Sequence, residues 1–288
     1  MEITASLVKE LREKTGAGIL DAKKALVENN GDIEKAAEYL RQKGIASADK
    51  KMSRIAAEGV VDTYIEGNVG AVVEVNCETD FVAKNAEFQE LVQAVAKTVV
   101  KENPADVAAL MAAQCSCGCG RTIEERVKEA IAKIGEKITI RRFVRYEGNL
   151  ATYVHNKKIA VLLATDKADE ALAKDVCLHI ASSAPEFVSR NEIPADVIEE
   201  EKRIEMGKED LAKKPEEIRA KIVEGRVNKL MAQKCLLEQP FVKAPDQTVG
   251  QLVEGKLNVV KFERYVLGEG LEKRQENFAD EVNAQLGK

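Results

Sequence analysis

Residues 59–82 read GVVDTYIEGNVGAVVEVNCETDFV. Val61, Thr63 and Ile65 fall on alternate positions and share one face. Val69, Ala71, Val73, Val75 and Cys77 form a second such row, and Glu66-Gly67-Asn68 lies between them. Period two on both sides of a glycine turn predicts a β-hairpin. Beyond it, Phe88, Leu91, Val92, Val95 and Val99 recur at helical spacing. Between strand and helix stands Thr79-Asp80-Phe81-Val82, an aromatic ring flanked by Glu78, Asp80 and Lys84. Two readings fit Phe81. The ring tucks under its own domain as a lid, or a rigidly supported loop presents it to another molecule. Pattern alone leaves both open.

Outward from this stretch, the chain before Arg54 reads as three short helices. Thr4 is placed to cap the first, with Ile3 stapling against Val8 and with Leu7, Val8 and Leu11 on one face. Thr15-Gly16-Ala17-Gly18 stops it. A second helix spans Ile19 to Glu28. Asp32 caps a third, with Ile33, Ala36, Ala37 and Leu40 inward, and Gly44 is expected to close it. Further on, Thr122 and Glu125 make a capping-box pair ahead of EERVKEAIAKIG. Gly135 ends that helix, and Ile138 and Ile140 begin a strand. A weaker copy of the hairpin follows near Tyr153-Val154 and Ile159-Ala160-Val161-Leu162. It leads through Thr165-Asp166 into a helix carrying Leu172, Val176 and Ile180. Residues 194–230 are strongly charged and broken by Lys213-Lys214-Pro215, which fits two antiparallel helices. A short helix, a strand from Val259 to Leu267 and a terminal helix complete the chain. The expected divisions are 1–54, 55–140, 141–193 with 231–267, 194–230 and 268–288. The expected class is α+β.

The 288 residues are 45% hydrophobic and 32% charged, a soluble globular balance. No apolar run approaches the roughly 20 residues a membrane crossing needs. The N-terminal MEITASLVKELREK is amphipathic and charged, unlike a secretory or transit segment. A cytoplasmic protein without membrane contact is expected. The net charge of −5 argues against direct nucleic-acid binding. No GxSxG, HExxH or GxxxxGK[ST] is present, so no catalytic residue and no cofactor are assigned. TGAG (residues 15–18) reads as a helix-helix turn. Ile19 and Leu20 open a helix side by side and are either core or partner-facing. His155 is either a surface histidine or an interface contact. CSCGCG (residues 115–120) offers Cys115, Cys117 and Cys119 at C-x-C-x-C spacing, without the fourth ligand of a tetrahedral site. No metal is assigned, and a flexible loop of reactive thiols is expected.

Several segments together resemble the bacterial elongation factor Ts family. They are ITASLVKELREKTGAGILDAKKAL, GDIEKAAEYLR, EVNCETDFVAKN, KIGEKI with IRR, and QPFV near residue 240. Their order spans essentially the whole chain. Ile19-Leu20 stands where the family often has Met-Met, Ala22 where it often has Cys, and CSCGCG falls where the family varies. The resemblance implies an N-terminal ubiquitin-associated-like three-helix module, a core of two related α/β subdomains, an antiparallel coiled-coil hairpin and a C-terminal module. It implies guanine-nucleotide exchange on elongation factor Tu, bound in its GDP and nucleotide-free forms. Thr79, Asp80, Phe81 and Val82 would enter the partner beside its nucleotide and Mg²⁺ site. Ile19, Leu20 and Lys23 would dock on the same domain. Ile134 and His155, both placed in the second core subdomain, would touch another. A homodimer is left open. The rival class is a docking module without exchange activity, and a thiol-metal or redox protein is a third.

Overall fold

The protein is described by a computed structural model covering residues 3–51, 53–211 and 214–272; the side chains of 45–50 lie outside the description. It is an α+β fold of helices and small sheets, and it divides into two compact units. The first takes its described residues from Met1–Tyr64, Val73–Phe143 and Val266–Lys288, the second from Ile65–Val72 and Val144–Tyr265.

The first unit opens with α1 (Ala5–Thr15), α2 (Ile19–Glu28) and α3 (Ile33–Lys51). The Leu7 amide donates to Thr4 Oγ1, which caps α1, and Gly16 closes that helix at φ 68°, a left-handed conformation that suits glycine. Val8, Leu11, Ala22, Ala25, Leu26 and Ala36 form the core of the three helices, with Ile3, Leu7, Ile33, Ala37 and Leu40 packed around it. Gly44 does not end α3. The helix runs through it, because the third helix has a surface to lie on. A Cβ at Gly44 would stand 2.7 Å from Ala132 Cβ, so glycine here permits close approach to another helix.

The chain continues as β1 (Glu58–Glu66), β2 (Val69–Cys77), α4 (Asp80–Ala83), α5 (Ala86–Glu102), α6 (Val107–Ala112), α7 (Ile123–Ile134) and β3 (Thr139–Glu147). The strands form one sheet in the order β1-β2-β3. The hairpin turns at Gly67-Asn68, but burial along it does not alternate. Val60, Val61 and Asp62 are all buried, as is every residue from Ala71 to Cys77. A strand buried at successive positions is covered on both faces. Asn85 caps α5, whose Phe88, Leu91, Val92, Val95 and Val99 are all buried. Thr122 and Glu125 form their capping box at the start of α7, and Gly135 closes it.

Double burial forces Glu74, in the middle of β2, completely out of water. Its carboxylate accepts from Arg141 Nη1 (3.0 Å), Arg142 Nε (2.6 Å) and the Gly268 amide (2.8 Å). Burial pushes its pKa up, but the Gly268 amide and the two guanidiniums outweigh that and hold it below the ordinary carboxylate value. It thereby ties β3 and the chain at Gly268 to the sheet.

The second unit contains β4 (Asn149–His155), β5 (Ile159–Thr165), α8 (Glu170–Ser183), α9 (Ala195–Met206), α10 (Glu216–Lys234), β6 (Pro240–Phe241), β7 (Ala244–Thr248), α11 (Val249–Val253) and β8 (Val259–Val266). β4 and β5 pair antiparallel from Asn149↔Thr165 to His155↔Ile159, and β8 joins β5 to complete the sheet. Leu172, Val176 and Ile180 of α8 are buried with Val161, Leu163, Phe241 and Val249. The buried His179 joins α8 to the QPFV segment. Its Nδ1 accepts from the Val242 amide (3.2 Å) and its Nε2 meets Gln239 Oε1 (2.8 Å), an arrangement of a neutral ring. Burial accordingly holds its pKa below the ordinary histidine value.

The charged segment forms α9 and α10, packed through Ile193, Leu211, Val223, Val227 and Met231. Ile204 and Ile218, on the same two helices, are exposed instead. The expected terminal helix lies outside the described residues.

Glu74→Gln is expected to destabilise the protein by about 2–3 kcal/mol at pH 7, because two guanidiniums lose their charge partner. The folded pKa of Glu74 is lowered, so its contribution is complete above the unfolded value near 4.5 and fades as pH falls through the folded value. Urea unfolding of both proteins at pH 7, 5 and 4 checks this. A stability gap that stays constant down the series would refute the assignment.

Candidate partner-docking site

β2 ends at Cys77, and the next residues turn at once into α4. Thr79 caps that single turn by accepting from the Val82 amide (3.3 Å). Two glutamates then cross between this segment and the chain that follows α7. Glu136 accepts from the amides of Glu78 (3.1 Å) and Thr79 (3.0 Å) and from Thr79 Oγ1 (2.6 Å). Glu78 accepts in return from the Lys137 amide (2.6 Å) and from Arg54 Nη1 (3.2 Å). The buried Cys77 thiol donates to the Thr79 carbonyl (3.1 Å), and Gln89 Nε2 donates to the Ala83 carbonyl. Burial, with the Glu136 charge behind it, pushes the Cys77 thiol up to about 12. It is therefore a neutral structural donor.

On this clamped turn the Phe81 ring is 80% exposed. Phe88, seven residues on, is fully buried. Phe81 is therefore not a lid on its own core. Asp80 pairs with Lys84 Nζ (2.7 Å) one turn along, and Val82 is half-buried. An aromatic ring held outward by charge-assisted hydrogen bonds loses little further freedom on entering a pocket.

The second feature lies on α2. Ile19 is 58% and Leu20 82% exposed, so neither belongs to the core of the helical bundle, and Lys23 is exposed beside them. Val27 is exposed as well. It stands seven residues past Leu20, two helical turns along the same face, and that spacing is the signal by which the sequence could have revealed it.

Both features are anchored to α7. α3 packs along it, with Gly44 against Ala132 and Arg41 Nη1 3.6 Å from Glu125 Oε1. Gly16, at the end of α1, abuts the Lys133 stem, and Lys133 Nζ pairs with Glu87 of α5 (2.7 Å). Glu136 lies two residues past the helix end. Glu78, Glu136 and Arg54 escaped the sequence reading, because acidic residues beside loops carry no pattern that separates clamps from solvated surface.

Ile134 and His155 do not share a unit, contrary to expectation. Ile134 is the half-buried last residue of α7 in the first unit, two residues before Glu136. His155 ends β4 in the second, exposed and stacked on Tyr153 at 6.2 Å. Its Nδ1 is 3.2 Å from the Tyr153 hydroxyl and its Nε2 3.3 Å from Asn156 Nδ2. The segment KIGEKI belongs to the end of α7 and its loop, which is why Ile134 goes with the clamp.

The CSCGCG loop is hydrogen-bonded in place rather than loose. Gln114 bridges Thr122, and the Cys115 amide donates to the Arg121 carbonyl (2.8 Å). Cys115 is buried, while Cys117 and Cys119 are exposed. Burial and its contact with Cys117 push the Cys115 thiol up to about 11. At Cys117 partial burial acts in the same direction, but hydrogen bonds from its two sulfur neighbours outweigh it and bring the thiol down to about 7.

The profile of a family described as "Elongation factor TS" matches residues 78–269. Curated relatives named "Elongation factor Ts" match nearly end to end. The one from Alkalilimnicola ehrlichii is 49% identical over 99% of both chains. That from Leuconostoc mesenteroides is 48% identical over the whole of both, and that from Oenococcus oeni 45% over 99% of both. The chain belongs to the elongation factor Ts family. The family match begins at Glu78, so it takes in both glutamates of the clamp and Phe81 between them. Among the described residues no helix is long and apolar enough to cross a membrane.

Phe81→Ala is expected to change the stability of the free protein by no more than about 0.5 kcal/mol, as at other exposed positions. Phe88→Ala, which empties a buried site, is expected to cost about 3–5 kcal/mol. Thermal and denaturant unfolding of both variants checks the contrast. Early unfolding of the Phe81 variant would return that ring to the core.

Proposed function

We propose that this chain is a guanine-nucleotide exchange factor for elongation factor Tu in translation elongation, acting in the cytoplasm and not itself an enzyme. Family membership supports the role. The observation that favours exchange over simple docking is Phe81, exposed on a turn that three hydrogen bonds to the Glu136 carboxylate keep rigid. A docking surface has no need of such a projection, whereas a wedge does.

On this reading Phe81 enters between elements of the partner beside its nucleotide. Asp80 brings a carboxylate toward the groups that hold Mg²⁺, with Thr79 and Val82 shaping the turn. Ile19, Leu20 and Lys23, joined by Val27, supply apolar contact from an N-terminal module that is ubiquitin-associated-like in its three-helix form. Ile134 and His155 contribute contacts from different units of a core built of two related α/β subdomains. α9 and α10 correspond to the coiled-coil hairpin, and the residues from 268 onward to the C-terminal module.

The energetics follow from linkage. The factor binds GDP-loaded and nucleotide-free partner, and it binds the latter more tightly. It therefore lowers nucleotide affinity by the same factor by which nucleotide lowers its own. GTP binding then displaces it. No bond is made or broken in the process, which is why a site built of an aromatic, a carboxylate and an apolar helix face suffices.

Stopped-flow release of fluorescent GDP from elongation factor Tu tests the assignment. Phe81→Ala is expected to slow stimulated release by about tenfold or more, the scale of a lost aromatic anchor. Asp80→Ala is expected to slow release more than it weakens association. Ile19→Ala with Leu20→Ala is expected to weaken association, each side chain contributing roughly 1–3 kcal/mol where well buried. Parent protein that binds without accelerating release would leave a docking module. A stable Phe81 variant that works at the parent rate would remove the wedge.

A further inference from the structure

We propose that Cys115, Cys117 and Cys119 form a three-thiolate site for a soft monovalent d¹⁰ cation, Cu(I), independent of the exchange surface. The three sulfurs all lie within 4.8 Å of one another, with those of Cys115 and Cys117 2.8 Å apart. Metal–thiolate bonds of about 2.3 Å around a trigonal centre place sulfurs roughly 4 Å from each other. Small side-chain rotations therefore reach that geometry with the backbone left where it is.

The backbone is fixed by the fold. The Cys115 amide donates to the Arg121 carbonyl (2.8 Å), and the Ile123 amide to the Ala113 carbonyl (3.0 Å), which closes the base of the loop. The Ser116 amide donates to Thr98 Oγ1 of α5 (3.0 Å), which ties its crown to a buried helix. Gly118 and Gly120, at φ 76° and 68°, fold the chain back so that the alternate residues converge. Donors held this way lose little freedom on binding.

Charge and access fit as well. Arg126, in the first turn of α7, acts electrostatically on Cys117. Its Nε is buried and has no hydrogen-bond partner among the described residues. It offsets part of the negative charge that three thiolates and one monovalent cation leave. Cys117 and Cys119 are exposed, so a cation arrives from solvent and seats against the buried Cys115.

The donor set selects the ion. Thiolates favour Cu(I), zinc and iron–sulfur chemistry. Zinc is almost always four-coordinate in structural protein sites, and among the described residues the cluster has three metal-binding side chains. Both histidines of the chain are engaged elsewhere, His179 with Gln239 and Val242, His155 with Tyr153 and Asn156. Three sulfurs complete a trigonal Cu(I) centre without a further ligand. Binding forms three Cu–S bonds and releases each thiol proton to solvent, and no electron is transferred.

The test uses the full chain, fully reduced and kept anaerobic. Cu(I) is added in excess glutathione, the protein is separated by gel filtration, and copper is counted. One copper per chain is expected, with the ultraviolet charge-transfer band of a copper thiolate. The variant Cys117→Ser with Cys119→Ser, which changes exposed side chains alone, is expected to retain none and to melt with the copper-free parent. Parent protein that surrenders its copper to glutathione would overturn the proposal. So would a double variant that keeps it, since the metal would then belong to the buried Cys77, Cys177 or Cys235. A parallel addition of Zn(II) with a chromophoric chelator is expected to leave zinc on the chelator. Zinc retained in preference to copper would overturn the choice of ion.

Discussion

Two carboxylates crossing between residues 78–79 and 136–137 fix the turn on which Phe81 stands. Each glutamate accepts from the backbone of the other's segment, so the turn after β2 and the turn after α7 cannot move apart without stranding several amide donors. A buried or half-buried amide without a partner costs on the order of 1–3 kcal/mol, so the crossing is held by more than its own attraction. Everything exposed on α4 inherits that rigidity. The backbone polar groups of the turn are consumed internally and Asp80 is paired with Lys84, which leaves the Phe81 ring as what the turn offers outward.

The sheet beneath the clamp is stabilised in a different way. β2 is apolar at most positions and buried on both faces, and at its centre is a carboxylate. Glu74 gathers two arginines from the neighbouring strand and one amide from beyond β8. A buried ion group of this kind adds little net stability over an apolar packing of the same shape, but it tolerates few alternatives. Its effect is to specify which part of the chain closes the sheet.

Much of this was legible in the sequence, and the failures have physical causes. Helix ends written in local chemistry were readable: Thr4, Gly16, Thr122 with Glu125, and Gly135. The hairpin was readable from its period, but the sheet's double burial was not, since alternation records residue type and says nothing of what covers the second face. Gly44 misled because glycine has two uses, stopping a helix and letting another come close, and one sequence does not distinguish them. The exposure of Phe81 and of Ile19-Leu20 was undecidable from pattern, because an apolar side chain looks the same whether its pocket is its own or a partner's. The three cysteines were visible at once. Their convergence was not, because it depends on two left-handed glycines and on a hydrogen bond that the Ser116 amide donates to Thr98.

The contact of Gly44 with Ala132 has a consequence for how the two exposed features work together. α7 serves as a rigid spacer, with the bundle that carries Ile19 and Leu20 seated on one part of it and the Phe81 turn pinned just past its end. On the exchange reading, once one feature has engaged, the other meets its target at an effective concentration fixed by that spacer rather than by the bulk. Alanine at position 44 would favour an isolated helix by about 1 kcal/mol. In this fold it would lift α3 from α7 and change the spacing. The local gain in helicity would then be set against lost avidity, a cost that unfolding measurements on the free protein would never register.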